Sequence, residues 1–212
     1  MGQVEQTMAT YNRIAREYEA RTYRLNALPD LMSFLSLMPE NGKVLEAACG
    51  YGRELKQLAL QGLNVTGVDF SKSMLKLAIN RVSTASVSQM DVRQMAFPAE
   101  TFDGVWSRGV LHHLPPEEIP ETLTEFNRVL KPGGVLFVMT RKGEGAVRIK
   151  EPISSGLERE FTQLLNVNLL VKLYNAGFEI LESYDYNEAE RYGKGRRDVN
   201  FLVVLARRFK SF

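Results

Sequence analysis

Carboxylates stand at the ends of two predicted strands in the first third of the chain. An apolar run leads into Glu46, and the next predicted strand, 64–69, ends on Asp69. Between them lies a tight turn with Gly50 and Gly52, and glycine lets a backbone approach a ligand closely. An acid at the end of the second strand is placed to accept hydrogen bonds from both hydroxyls of a ribose. These residue types at this spacing predict a nucleoside-binding site.

The turn does not match the common dinucleotide and nucleoside triphosphate motifs. A nicotinamide fingerprint needs a third glycine where this chain has Leu55, and a P-loop needs Gly-Lys-Ser/Thr, which does not occur. Glu46 would repel a pyrophosphate, whereas it would pair with a cationic ligand. A third acid, Asp91, follows the next short strand. The three strand ends together favour cofactor binding over a purely structural glycine turn.

His112 and His113 follow the fourth predicted strand and are the only histidines of the chain. A histidine in this place is a candidate general base. The alternative is that both pack and form hydrogen bonds where the next helix begins. Cys49 lies inside the glycine turn, and we interpret it as a small packing residue and not as a nucleophile. His, Cys and Asp do not cluster at ligand spacing, so no metal site is expected.

Basic residues gather in the last third of the chain. The segment 142–160 has little periodicity and is expected to be a loop, and 142–162 is a candidate substrate lid. Arg141 and Arg159 would then pair with a carboxylate or phosphate on a substrate, with a solvated loop as the alternative. Arg191, Lys194, Arg196 and Arg197 form one further cluster, and Arg207, Arg208 and Lys210 form another. We interpret these clusters as solvated faces, with an RNA-binding patch as the alternative.

The elements that position these residues alternate along the chain. Predicted strands are 43–47, 64–69, 87–90, 102–107 and 135–140, and predicted helices are 7–20, 27–37, 52–61, one after Ser71, one from Pro115 to Leu130, and 166–176. This alternation predicts a parallel sheet with helices on both faces. The last two predicted strands, 178–183 and 199–206, have no helix between them, which predicts a terminal antiparallel hairpin.

The composition is that of a soluble single domain. The 212 residues are 44% apolar and 25% charged, with a formal net charge of +2, which does not favour nucleic acid as a partner. A single cysteine rules out an internal disulfide. No apolar run reaches the ~18 residues that span a bilayer. We expect a cytoplasmic monomer or homodimer without a membrane partner.

Five segments in order resemble the class I S-adenosylmethionine-dependent methyltransferases: Val44–Arg53, Gly67–Ser71, Met90–Val92, Phe102–Pro115 and Arg128–Gly134. The resemblance covers about residues 7–206 and is strongest to small, single-domain members. It implies a Rossmann-like α/β fold with seven strands in the order 3-2-1-4-5-7-6, in which strand 7 is antiparallel. It also implies one domain over 1–212: capping helices in 1–40, a cofactor-binding core in 41–141, a lid in 142–162, and a terminal helix and hairpin in 163–212.

The resemblance implies S-adenosylmethionine as the cofactor and S-adenosylhomocysteine as its product. The residues that it implies for cofactor binding are Tyr11, Tyr18, Glu46, Ala48, Cys49, Gly50, Gly52, Asp69, Phe70, Met74, Asp91, Val92, Ser107 and Arg108. Asp69 would bind the ribose hydroxyls, Asp91 the adenine amino group, and Glu46 the methionine moiety. His113 and Tyr11 are the candidate catalytic residues. Ala48 stands where the family usually has glycine, and we expect this to change the backbone approach only slightly.

The leading hypothesis is methyl transfer to a small-molecule acceptor. One alternative is a tRNA- or protein-modifying methyltransferase, because Tyr11-x-x-Ile14-Ala15-x-x-Tyr18 is similar to the opening helix of some wobble-uridine tRNA methyltransferases. Another is a non-catalytic partner subunit that only binds the cofactor. The acceptor atom stays open, since oxygen, nitrogen, carbon and sulfur acceptors all use this scaffold.

Overall fold

A seven-stranded sheet forms the centre of the computed structural model, which describes residues 2–25, 27–150, 158–193 and 196–210. The strands are β1 (Lys43–Ala47), β2 (Asn64–Asp69), β3 (Ser86–Gln89), β4 (Phe102–Arg108), β5 (Leu130–Arg141), β6 (Ala146–Lys150), β7 (Glu158–Thr162), β8 (Phe178–Asn187) and β9 (Asn200–Arg208). The sheet order is β3-β2-β1-β4-β5-β9-β8, while β6 and β7 pair separately. β9 runs antiparallel to both of its neighbours. The predicted Rossmann-like strand order is confirmed.

Helices cover both faces of this sheet. They are α1 (Gln3–Thr22), α2 (Leu28–Leu35), α3 (Arg53–Leu60), α4 (Lys72–Arg81), α5 (Ile119–Val129), α6 (Asn166–Asn175) and α7 (Glu188–Tyr192), with a 3₁₀ turn at Leu111–His113. The predicted N-cap of α4 is present, since Ser71 Oγ accepts a hydrogen bond from Met74 N. Within the described ranges, no helix is both long and apolar enough to cross a bilayer.

Alternate residues of the central strands pack into two separate hydrophobic cores. Leu45 and Val138 pack with the apolar faces of α5 and α6, whereas Val44 and Phe137 pack with those of α2 and α3. This division follows from the strand period of two, which sends successive side chains to opposite faces of a sheet. The carboxyl ends of the parallel strands are therefore held rigidly from both sides, and the loops that follow them form one edge.

The prediction of a loop over 142–160 is wrong in part. β6 and β7 pair antiparallel in register, from Ala146 opposite Thr162 to Lys150 opposite Glu158. Each strand is only five residues long and half of their residues are charged, so the apolar alternation is too short to mark a strand in the sequence. The central part of the predicted lid, 151–157, lies outside the described residues.

Other element boundaries also differ from the predictions. α1 begins at Gln3, four residues before its predicted start, α5 begins only at Ile119, and β5 already begins at Leu130. The early start of β5 includes a register irregularity opposite Phe102–Gly104, which accommodates the Pro-Gly-Gly segment. β8 continues to Asn187, and α7 follows it between the last two predicted strands, where no helix was expected.

Candidate functional site

The turn after β1 is held open by three residues with positive φ. These are Ala48 at 60°, Gly50 at 54° and Gly52 at 79°. A Cβ on Gly52 would lie 3.2 Å from the Cα of Ala78, so this glycine allows α3 to pack closely against α4. A Cβ on Gly50 would meet no atom within 4 Å, so the turn presents an open backbone surface at that point. Ala48 adopts the left-handed region at a cost of about 1 kcal/mol, which the surrounding packing has to offset.

Asp69 closes this turn from the neighbouring strand. Its Oδ2 accepts a hydrogen bond of 2.9 Å from Gly50 N, and its Oδ1 accepts one of 2.8 Å from Ser71 N. Burial raises the pKa of Asp69 to about 6, although the backbone donors at Ser71 and Gly50 act in the opposite direction. Each carboxylate oxygen has a second lone pair and thus capacity for further donors. The arrangement suits a ligand that offers hydroxyl groups.

Glu46 lies buried beneath the turn. Its Oε2 has no hydrogen-bond partner among the described residues. Burial raises its pKa well above the ordinary value, and the charge of Glu54 adds to this effect while Arg53 opposes it. A buried carboxylate oxygen without a donor is costly unless a ligand supplies one. The donor set therefore fits S-adenosylmethionine, which carries an ammonium group as well as ribose hydroxyls.

A crevice opens between this turn, the following strand ends and α1, and we call it the cofactor crevice. Its walls are formed by Val4, Tyr11, Tyr18, Ala48, Gly50, Asp69, Phe70, Met74, Met90, Asp91, Val92, Arg108, Gly109, Val110, His113 and Leu114. Eleven of the residues predicted for cofactor binding or catalysis line it. The other four, Glu46, Cys49, Gly52 and Ser107, lie behind its walls.

Five residues of the walls were not predicted: Val4, Met90, Gly109, Val110 and Leu114. Met90 directly precedes Asp91. Gly109 and Leu114 directly follow Arg108 and His113, and Val110 lies between these two predicted residues. A wider window around each strand end would have included all four. Val4 was missed because α1 begins earlier than its apolar stripe indicates.

Asp91 is already oriented by a neighbouring arginine. Arg93 Nε donates to both carboxylate oxygens of Asp91 at 3.0 Å, and its Nη2 donates to Oδ2 at 2.5 Å. Burial alone would raise the pKa of Asp91, but the hydrogen bonds from Arg93 outweigh burial and hold the pKa below its ordinary value. Asp91 therefore stays ionised and fixed at the rim of the crevice.

Tyr11 and His113 meet at the inner end of the crevice. Tyr11 Oη lies 3.1 Å from His113 Nε2, and the two rings are perpendicular with centroids 5.5 Å apart. Tyr18 packs edge-on against Tyr11, with centroids 5.3 Å apart. Burial, and then the positive charges of Arg159 and Arg141, hold the pKa of His113 well below its ordinary value. The imidazole is therefore neutral at neutral pH.

A second cavity continues inward from this pair, and we call it the arginine-lined chamber. It shares Tyr11, Tyr18, Arg108, Gly109 and His113 with the cofactor crevice. Its other walls are Leu25, Arg53, His112, Met139, Arg159, Phe161, Tyr186, Glu188, Tyr192, Arg197 and Phe201. The two predicted catalytic residues thus stand at the junction of two connected spaces.

A buried acid on α2 orients part of this chamber. Asp30 is fully buried, and its Oδ2 accepts a hydrogen bond of 2.9 Å from Arg108 while its Oδ1 accepts one of 2.7 Å from Arg191. Arg108 also donates to Tyr192 Oη at 3.0 Å. Nothing in the sequence around Asp30 marks it, because its partners come from β4 and the terminal hairpin.

The basic cluster predicted at 191–197 is divided by the fold. Arg191 points inward to Asp30, and Arg197 forms an ion pair of 2.7 Å with Glu188. Arg196 donates to the backbone of Arg21. Lys194 lies outside the described residues. The described arginines of this cluster therefore make internal contacts and do not form one continuous basic face.

Known proteins resemble this chain in sequence and in fold. The family model described as a methyltransferase domain matches residues 45–138. An uncharacterised methyltransferase of Synechocystis is 30% identical over 167 residues, which are 77% of either chain. The 2-methyl-6-phytyl-1,4-hydroquinone methyltransferase of Synechocystis is 35% identical over 108 residues, but these are 49% of this chain and 33% of that protein. An S-adenosylmethionine-dependent methyltransferase from Methanosarcina mazei superposes with a TM-score of 0.77 over 88% of this chain and 100% of its own, at 20% identity.

Proposed function

The chain belongs to the class I S-adenosylmethionine-dependent methyltransferases, and we propose that it transfers a methyl group to a small-molecule acceptor held in the arginine-lined chamber. The observation that carries this proposal is the junction of two cavities at Tyr11 and His113. A transferase for two ligands needs both reacting atoms brought together in one enclosed place.

The cofactor crevice has the groups that this cofactor requires. When bound, S-adenosylmethionine supplies an electrophilic methyl group on a sulfonium. Asp69 accepts hydrogen bonds from the ribose, and Glu46 balances the ammonium group. Phe70 and Val92 offer apolar surface to the adenine next to Asp91. Tyr11 and Tyr18, both on α1, close the crevice towards the chamber.

His113 takes a proton from the acceptor if that acceptor is a hydroxyl or an ammonium group. Its low pKa keeps it neutral and ready to act as a base at neutral pH. We assign the proton to Nε2, whose N–H donates to Tyr11 Oη at 3.1 Å and fixes the orientation of the ring. Nδ1, which has no hydrogen-bond partner in the described part of the chain, then keeps the lone pair that accepts the proton. Tyr11 thus links cofactor closure to proton transfer.

Three observations favour a small acceptor over a tRNA or a protein. Aromatic side chains enclose the chamber, among them Phe161, Tyr186 and Phe201. Arg191 and Arg197, which an RNA-binding patch would need, are paired internally. A relative of this chain is named for methylation of 2-methyl-6-phytyl-1,4-hydroquinone, which is neither a nucleic acid nor a protein.

Calorimetric titration with S-adenosylmethionine and S-adenosylhomocysteine, beside NAD and ATP, tests the cofactor site. Saturable binding of the first two alone is expected. Release of S-adenosylhomocysteine is then measured with a panel of small ring compounds and, separately, with bulk tRNA. Turnover on tRNA alone would refute the small-molecule acceptor, and cofactor binding without turnover on any substrate would favour the non-catalytic partner subunit.

A further inference from the structure

Arginines in the wall of the arginine-lined chamber form ion pairs within the protein. Three of them are paired with carboxylates: Arg53 with Glu54, Arg108 with Asp30, and Arg197 with Glu188. These pairs satisfy the guanidinium groups without a ligand, so they do not require an acceptor of opposite charge. The groups that point to the chemistry of the acceptor are instead the uncharged rings of the same wall.

Aromatic rings form a connected part of this wall. The ring centroid of Phe161 lies 5.8 Å from that of His112 and 5.3 Å from that of His113. The ring centroid of Phe201 lies 6.2 Å from that of His112 and 5.7 Å from that of Tyr186. Aromatic rings prefer edge-on and offset neighbours at such separations, so another planar ring packs favourably against this wall. The chamber therefore suits a flat aromatic ligand.

His112 presents one edge of its ring where the two cavities meet. Gly109 lines both cavities, and its φ is 82°. A Cβ on Gly109 would lie 3.5 Å from Cε1 of His112 and 3.9 Å from its Nε2, so the glycine leaves this edge of the ring uncovered. Nδ1 of His112 has no hydrogen-bond partner in the described part of the chain, although the residue is only 7% exposed. A buried polar group without a partner is costly unless a ligand supplies one.

His112 and His113 lie side by side in the wall of the chamber. Their ring centroids are 4.4 Å apart, and Nδ1 of His113 likewise has no partner within the described ranges. Burial and the neighbouring arginines hold the pKa of both rings well below the ordinary value, so both are neutral. A neutral imidazole has one donor and one acceptor nitrogen, and a hydroxyl group can both donate and accept. Two hydroxyl groups on one ring therefore match the two histidines, whichever tautomer His112 adopts.

We infer that the acceptor is an uncharged aromatic compound with two hydroxyl groups ortho or meta to each other, and that His112 binds the second of them. This inference deepens the proposed function and rests on it. The first hydroxyl is the reacting group and gives its proton to Nδ1 of His113. The second hydroxyl keeps its proton and holds the ring against Phe161. His112 is thus a specificity-determining residue, which selects acceptors by the spacing of their hydroxyl groups.

Histidine ring nitrogens report directly on this binding, because His112 and His113 are the only histidines of the chain. The full chain, labelled with ¹⁵N in its histidine rings and saturated with S-adenosylhomocysteine, is titrated by NMR with catechol, resorcinol, hydroquinone or phenol under reducing conditions. Comparison with His113→Gln assigns the signals to the two residues. Catechol or resorcinol should shift a ring nitrogen of His112 and bind about three- to tenfold more tightly than phenol, because it gains one hydrogen bond. Hydroquinone should bind like phenol, because its second hydroxyl points away from two rings that lie side by side.

His112→Phe keeps an aromatic ring at this position and removes both ring nitrogens. The variant should bind phenol with the affinity of the wild type and lose the preference for the better of catechol and resorcinol. The matched control is Leu25→Met, a change of similar volume elsewhere in the wall of the chamber, which should keep that preference. If His112→Phe does not fold, the wild-type affinities and the His112 signals decide alone.

Four results would overturn the inference. They are equal affinity of phenol for the site with catechol and resorcinol, equal affinity of hydroquinone with the better of those two, their preference retained in His112→Phe, and His112 signals that no compound moves. The proposed function fails in a different way. If S-adenosylhomocysteine does not bind in the calorimetric titration, the proposed cofactor site is refuted, and turnover on tRNA alone refutes a small acceptor of any kind.

Discussion

Acidification should weaken the binding of S-adenosylhomocysteine, because Asp69 has to be ionised to accept hydrogen bonds from the ribose. Burial raises the pKa of Asp69 to about 6. The ligand stabilises the ionised form, so the affinity is complete well above that pH and is lost as the pH falls through it. At about pH 5 only about one-eleventh of such a group is ionised, so the dissociation constant should be about tenfold higher than at about pH 8.

Isothermal titration at several pH values measures this effect, and S-adenosylhomocysteine is used because it carries no transferable methyl group. Asp69→Asn should weaken binding at about pH 8 by about 1.5–3 kcal/mol, through loss of a charged acceptor. The variant should also lose the part of the pH dependence that Asp69 causes. The pKa of Glu46 is raised as well, so any remaining slope should disappear in Asp69→Asn combined with Glu46→Gln.

Asp103→Asn is the matched control. Asp103 likewise accepts a backbone hydrogen bond, 2.9 Å from Lys43 N, and its other oxygen accepts one of 2.7 Å from Lys131. It lies near the amino end of β4, away from the carboxyl strand ends that carry the cofactor crevice. This variant should lose stability and still bind S-adenosylhomocysteine with the affinity and pH profile of the wild type. A wild-type dissociation constant that is the same at about pH 5 and about pH 8, or an unchanged pH profile in Asp69→Asn, would refute the reasoning.

Three further outcomes follow from the site. Tyr11→Phe should lower turnover about 10- to 100-fold with little change in S-adenosylhomocysteine affinity, since the variant loses only the Tyr11 hydroxyl that bonds to His113. Equal turnover of variant and wild type in a steady-state assay with the identified acceptor would contradict this. Below about pH 6.5 His113 is protonated in the unfolded chain but not in the folded chain, so through this residue the free energy of unfolding should fall by about 1.4 kcal/mol for each unit that the pH is lowered. Urea unfolding of His113→Gln should lack this part of the pH dependence. If the variant keeps the full pH dependence of the wild type, His113 is not neutral in the folded protein. The Cys49 thiol is buried and burial raises its pKa, so iodoacetamide should modify it about 100-fold more slowly in the native protein than in urea. Mass spectrometry measures both rates. Rapid alkylation of the native protein would show that the turn does not bury Cys49.

The strand order was predictable because local patterns and chain connectivity both constrain it. Apolar strands that alternate with helices through short connections leave few ways to build a sheet. The strand ends at Asp69 and Asp91 could be found for the same reason, since the carboxyl ends of parallel strands must meet at one edge. The resemblance to the methyltransferases then supplied the strand order as a specific expectation, and the observed order agrees with it.

The second chamber was not predictable, because its walls come from segments far apart in the chain. Asp30 reads as one polar residue on a short helix, yet it is fully buried against Arg108 and Arg191. Arg159 was singled out, but its predicted loop is a strand, so its position beside Tyr11 could not be foreseen. Both cases depend on tertiary contacts, which leave no periodic signal in the sequence.

One helix joins the two halves of the site. Asn12 on α1 accepts hydrogen bonds from Ser71 Oγ at 2.9 Å and Ser73 N at 3.1 Å, just after the strand that ends on Asp69. Six residues earlier, Gln6 donates to the backbone of Glu158 at 3.0 Å, at the start of the strand that carries Arg159. Since α1 also contributes Tyr11 to both cavities, a change in its position that favours one ligand alters the site of the other. By linkage, any gain in acceptor affinity that the cofactor produces must be matched by an equal gain in cofactor affinity that the acceptor produces.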